Sequence, residues 1–199
     1  MLHHPKTATP DHPIHDLIAN RWSPYAFDER PVEQEKLQSC LEAARWAASS
    51  FNEQPWSFIV ARRESQTSFS TMLECLADAN QAWAARAGVL MLTIAARLFS
   101  KNGKPNRTAE HDVGLAIGNL SIQATSLGLA VHQMAGVDLS KARQVYSIPE
   151  SHDPLTVVAI GYTAARGEDR QFAERDLAPR SRKPLREFVF TDAWGTPDI

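Results

Sequence analysis

The feature that most constrains this chain is a nearly continuous apolar run, Gly88 to Ala95, reading GVLMLTIA. A strand with one solvated face alternates apolar and polar residues, whereas a strand without alternation is buried on both faces. The run is too short to cross a bilayer, and Thr93 interrupts it. It therefore predicts a central strand with a layer of structure on each side. Ser57–Ala61, Leu129–Met134 and Thr156–Ile160 read as further strands.

Between these lie helical patterns. Ile14, Leu17 and Ile18 mark a short helix ending near Asn20, and Arg21 to Glu33 reads as a loop broken by Pro24 and Pro31. Leu37, Cys40, Leu41, Ala44 and Ala48 recur at helical spacing over about 34–48. Residues 66–79 and 139–146 suit two more helices. The longest, about 110–127, has one face of Val113, Ala116, Ile117, Leu120, Ala124 and Leu127, and a second of Leu115, Gly118, Ile122 and Ser126. A helix apolar on two sides is a central one, and its small residues hint at a close dimer contact. Strands and helices intersperse without strict βα alternation, which favours α+β over a doubly wound sheet. Pro5, Pro10 and Pro13 make residues 1–13 read as a mobile N-terminal arm. Residues 14–195 read as a single domain.

The formal charge of −2 argues against a general affinity for nucleic acid or anionic membrane. No segment resembles a secretory signal or a membrane span, so a cytoplasmic location is expected. Cys40 and Cys75 both fall in helix-like stretches and read as buried thiols rather than a disulfide. The seven histidines form no metal set, since four of them sit in or beside the arm without cysteine partners. There is no GxSxG, no Cys–His arrangement, no GxGxxG after a strand and no Walker A motif. With no protein-borne reactive group, any redox or group-transfer chemistry falls to a cofactor.

Three segments carry binding chemistry. Arg21-Trp22-Ser23 follows the first helix and Arg180-Ser181-Arg182-Lys183 lies near the C-terminus. Guanidinium groups with hydroxyls between them suit a phosphate monoester, although on composition alone the reading of both segments as solvated charge runs is favoured. Ser49-Ser50-Phe51-Asn52-Glu53-Gln54-Pro55-Trp56 offers hydroxyls and amides for the edges of a heteroaromatic ring. It also reads as a helix C-cap whose Ser and Asn serve the backbone.

Taken together, the chain from Ile14 to Gly195 resembles the FMN-dependent nitroreductase family. The resemblance is carried in order by Asn20–Ser23, Leu41–Trp56, Asp112 with Gly114, Gly128-Leu129, Met134–Asp138, Ala159–Tyr162 and Arg180–Leu185. It implies a three-layer α-β-α fold with a central mixed sheet, in an intimate homodimer whose C-terminal tail extends onto the partner subunit. It implies FMN sites at the subunit interface, with no catalytic side chain and no metal, the chemistry being the flavin's. Arg21, Trp22 (through its backbone) and Ser23 match positions that hold the phosphate and the pyrimidine edge. Arg180 and Arg182 match the basic pair on the phosphate. Ser49, Ser50, Asn52 and Gln54 match the loop that reaches the flavin from the other subunit. Ala135 and Gly136 match backbone near the ring's reactive nitrogen, and Asn80 an asparagine on the ring or ribityl chain.

Ala48 replaces a common proline. Tyr25 and Trp83 stand where some members carry basic residues, and are expected in the substrate pocket. The resemblance implies hydride transfer from NADH or NADPH to nitroaromatics, quinones or similar electrophiles by a ping-pong cycle. Dehalogenating or dehydrogenating relatives and a non-enzymatic flavin-binding protein are the alternatives.

Overall fold

In the computed structural model, which describes residues 4–165 and 171–197, the apolar run is an interior strand, Val89–Ala96 (β3), buried at every position but the last. It lies between Trp56–Arg62 (β2) and His152–Thr163 (β5). On the far edge of β5 pairs Ala130–Met134 (β4), and a two-residue strand, Phe27–Asp28 (β1), pairs with the end of β5. Where β3 and β5 shift register, the Thr93 hydroxyl pairs with Thr156 Oγ1 at 2.9 Å and accepts the Thr156 amide at 3.1 Å. That satisfies the one polar side chain in the run.

Alternation along β3 divides two layers. Val89 and Met91 join one cluster with Leu37 and Cys40 of Gln34–Arg45 (α2) and Val113, Ile117 and Leu120 of Ala109–Ser126 (α5). Leu90 and Leu92 face the other way, onto Phe69 and Met72 of Gln66–Leu73 (α3), Trp83 of Asp78–Ala84 (α4) and Ala142 of Leu139–Val145 (α6). The α2–α5 pair is tied further by Asn119 to the Ala43 carbonyl and Gln123 to Ser39. The α+β three-layer expectation is thereby met, and both cysteines are free and buried.

Four local expectations need correction. Every strand pairing among the described residues is antiparallel, where a mixed sheet was expected. The mixed sheet was implied by the resemblance, and the apolar run itself reports only coverage on both faces, not strand direction. The helix read over 66–79 stops at Leu73, and a separate α4 follows. The break is caused from a distance: Leu76 bridges Val137, the Asp138 amide donates to the Cys75 carbonyl, and the Ala77 amide to the Gly136 carbonyl. Phe27–Asp28 is extended inside the expected loop. Finally, Ala173–Leu177 (α7) is a helix in the stretch after β5, where the sequence pattern marked none.

Of the N-terminal arm, residues 4–13 are described. His4 stacks on Trp22 at 4.6 Å and the Ala8 amide donates to the carbonyl of Ala19 in Asp16–Asn20 (α1). The second face of α5 is open: Leu115 is 41% exposed, and a Cβ added at Gly118 would meet nothing within 4 Å. Among the described residues no helix is long and apolar enough to cross a membrane, and no His, Cys, Asp or Glu cluster could hold a metal.

Candidate functional site

Two segments far apart in sequence meet just beyond α1. Arg180 Nη1 donates to the Arg21 carbonyl at 2.7 Å, and Nη2 donates to the Ala19 carbonyl. Arg21 Nη1 donates to Ser23 Oγ at 3.3 Å. Arg182 lies close enough for its charge to act on both. Burial, and then the Arg182 charge, hold the Arg21 guanidinium below its ordinary value. Burial, then Arg21 and Arg182, do the same for Arg180. Among the described residues none of these three cations has a carboxylate in ion-pair range, and Arg180 Nε is buried without a partner. Clustered, uncompensated guanidiniums with an orphan donor are a site for an anion with several oxygens. The indole of Trp22 is engaged by His4, which leaves its backbone to any ligand.

Loop 21–26, which carries Arg21 and Ser23, is held by side chains from elsewhere. Asp176 of α7, buried at the loop, accepts the Tyr25 amide at 3.0 Å and the Ala26 amide at 2.9 Å. His132 of β4 places Nδ1 2.7 Å from the Pro24 carbonyl. The Tyr25 ring stacks on Phe172 at 5.7 Å, meets His132 and Trp83 edge-on, and lies under the Arg175 guanidinium. Tyr25 is half-buried, but Trp83 is 1% exposed and stacks on His132 at 4.3 Å. Trp83 is therefore a core residue beneath Tyr25 and His132, which removes it from the expected pocket wall.

A second group joins α4 to the turn after β4. Asn80 Nδ2 donates to the Gly136 carbonyl at 3.1 Å, beside the Ala77 amide that donates to the same oxygen. Ala135 is exposed, and its carbonyl accepts the Val137 amide at 2.9 Å in a tight turn. Asn80, Ala135 and Gly136 thus come together, with His132 linking their strand to the arginine loop.

The third group stands apart. Phe51, Asn52 and Gln54 all have left-handed φ, at 54°, 57° and 53°. Non-glycine residues hold that conformation only where their surroundings impose it. Here the Ser50 amide donates to Asp112 at 3.0 Å, the Gln54 amide to Ser49 Oγ at 3.0 Å, Gln54 Nε2 to the Asn52 carbonyl, and the Ser100 amide to Glu53. Phe51 is left 92% exposed. Among the described residues no hydrogen bond joins this loop to the other two groups.

Sequence reasoning missed Asp176 and His132 as organisers of the site. It quoted Asp112 only as part of a motif. Asp112 carried one local signal, an acidic residue in the first turn of a long helix. Asp176 and His132 carried none.

Comparison with known proteins bears on the family and the fold. Residues 18–162 match the model of the Nitroreductase family. An uncharacterised 15.4 kDa protein of Mycolicibacterium smegmatis is 36% identical over 70% of this chain and 98% of its own length. The major NAD(P)H-flavin oxidoreductase of Aliivibrio fischeri is 46% identical over 31% of each chain. Among solved structures, an oxidoreductase containing FMN superposes with a TM-score of 0.87 at 33% identity, covering 94% of this chain and 96% of the other. A nitroreductase family protein of Clostridium difficile 630, at 24% identity and TM-score 0.69 over 89% and 96%, shares the fold.

Proposed function

This chain belongs to the nitroreductase family, and we propose that it is an FMN-dependent oxidoreductase taking hydride from NAD(P)H and passing it to a nitroaromatic, quinone or similar small electrophile. The observation that carries this reading is the basic cluster. Arg21, Arg180 and Arg182 lie close enough for their charges to interact, and among the described residues they have no carboxylate in ion-pair range and Arg180 Nε has no partner. A flavin phosphate satisfies all of these, and Ser23 adds a hydroxyl. Asn80, Ala135 and Gly136 are the candidates for the ring. FMN, when bound, supplies the hydride chemistry that no side chain here offers.

The protein's contribution is placement. Its pinned backbone holds the phosphate-binding side chains in position before the ligand arrives, which lowers the cost of ordering them. Reductant and acceptor occupy one pocket in turn, a ping-pong cycle, with Tyr25 at its wall.

The functional unit is a homodimer. Ser49, Ser50, Asn52 and Gln54 lie on a hydrogen-bonded loop that, among the described residues, makes no hydrogen bond to the basic cluster of its own chain, and so serve the site of a second copy. The open face of α5 and the tail, with Phe188 exposed and Trp194 93% exposed, are apolar surface suited to that partner. We place the enzyme in the cytoplasm, acting on small molecules rather than on nucleic acid or membrane.

The test is stopped-flow mixing of the FMN-loaded full chain with NADH and with NADPH, followed by an acceptor panel. Rapid bleaching and acceptor-dependent recovery, with parallel double-reciprocal plots, are expected. A flavin that binds but is not bleached by either nucleotide leaves a flavin carrier instead of a reductase.

A further inference from the structure

We propose that Asp176 is a positioning residue for phosphate recognition, acting by fixing the backbone of the loop that presents Arg21 and Ser23. The assignment rests on the FMN reading above. Both Asp176 oxygens are used: Oδ1 takes the Tyr25 amide at 3.0 Å, and Oδ2 takes the Tyr25 amide at 3.1 Å and the Ala26 amide at 2.9 Å. Bonds from amides to an ionised, buried carboxylate are among the stronger ones available. The Ala26 carbonyl in turn accepts the Ala164 amide at 3.0 Å, so the residue is held from both sides.

No hydrogen bond or ion pair joins Asp176 to Arg21, Ser23, Arg180 or Arg182 among the described residues, yet Asp176 lies four residues before Arg180. One short stretch of chain therefore delivers both a phosphate donor and the clamp for the opposing loop. Arg180 itself binds the Ala19 and Arg21 carbonyls, and His132 the Pro24 carbonyl. The backbone from Ala19 to Ala26 is thus gripped at five points by three side chains from outside it. A constellation set on a loop is only as exact as that support, and small displacements weaken multidentate recognition steeply. Phe172 and Arg175 on the Tyr25 ring keep α7 seated independently of the carboxylate, so α7 stays docked when the carboxylate is changed.

The experiment titrates full-length apoprotein, wild type and D176N, with FMN and with riboflavin, which lacks the phosphate, and records thermal midpoints alongside. The expected result is a loss of about tenfold or more in FMN affinity for D176N, with a clearly smaller loss for riboflavin, which keeps only the ring contacts. Equal losses for both ligands show a merely structural role and overturn the assignment. Unchanged FMN affinity overturns it too. A wild type that binds neither flavin overturns the FMN reading and this one with it, whereas a wild type that binds FMN no better than D176N overturns this one alone. Should D176N not fold, hydrogen exchange on apo wild type decides: the Tyr25 and Ala26 amides are protected before any flavin is added. Free exchange that slows only with FMN shows a loop set by the ligand and sinks the proposal.

Discussion

The side-chain amide of Asn80 donates to the Gly136 carbonyl at 3.1 Å, and a Cβ built on Gly136 would come within 2.5 Å of that same nitrogen. The glycine is therefore required by the asparagine, not by a turn. The clashing atom ends a flexible side chain, so G136A is accommodated by swinging Asn80 away. Its main cost is then the lost hydrogen bond, about 1 kcal/mol. N80A removes the same bond and costs about the same. Because both changes delete one interaction, the double variant costs little more than either single one. Urea denaturation of the four proteins measures this; full additivity would show that Asn80 and Gly136 act separately.

Asp112 plays a parallel role for the Ser49–Gln54 loop. Its carboxylate is buried at the start of α5 and accepts the Ser50 amide at 3.0 Å, with His111 Nδ1 at 3.3 Å. D112A leaves that amide without an acceptor and costs about 2 kcal/mol. D112N keeps an acceptor oxygen and costs less. If the loop serves the neighbouring subunit, D112A also weakens flavin binding in the dimer while leaving the arginine cluster intact. Denaturation and flavin titration of the two variants check both halves.

The basic cluster predicts how the apoprotein responds to anions. Arg21 and Arg180, held below their ordinary values by burial and then by neighbouring guanidiniums, are relieved by a multivalent oxyanion. Inorganic phosphate at one hundred times its Kd stabilises the apoprotein by about 2.7 kcal/mol, and sodium chloride at equal ionic strength does far less. R182Q reduces the phosphate effect. R21Q abolishes most of it, yet in phosphate-free low-salt buffer stabilises the apoprotein by on the order of 0.5 kcal/mol, the scale of a partly solvated charge interaction. Thermal midpoints across a phosphate series give the answer, and equal responses of wild type and R21Q would place the anion elsewhere.

Much of this was legible in the chain because the informative residues are types with few alternative uses together. The unbroken GVLMLTIA run demanded cover on both faces, and β3 has it. Arg21 and Arg180, 159 residues apart, were linked by resemblance and meet through a backbone carbonyl. What stayed hidden depends on contacts without a local signature. The end of α3 is set by Val137 and Asp138, more than sixty residues away. Trp83 on a short helix reads equally as pocket wall or core, and only the placement of Tyr25 and His132 over it decides for core. Asp176 is one acid in a charged tail until α7 docks it on the Tyr25 and Ala26 amides.

His132 makes the arginine loop sensitive to acid. Its Nδ1 faces the Pro24 carbonyl, which can only accept, so Nδ1 carries the hydrogen. Burial against Trp83 and Tyr25 is the largest influence and holds the imidazole below the usual histidine range. The Pro24 bond and the Asp176 charge act against that shift, and the Arg21 charge acts with it. In the unfolded chain the ring titrates near the usual value of about 6.5. Between that value and the lower folded one, the unfolded state binds more protons, so stability falls as pH falls. The contribution is complete above about pH 6.5 and fades progressively below it. H132Q keeps a donor for Pro24 but cannot ionise. At pH 8 it costs about 1 kcal/mol through the lost stack on Trp83, and its thermal midpoint declines less steeply than the wild type's from pH 7 to pH 5. Parallel curves over that interval would assign the acid sensitivity to other groups. A wild-type curve that rises toward acid would mean that Asp176, rather than burial, governs the ring.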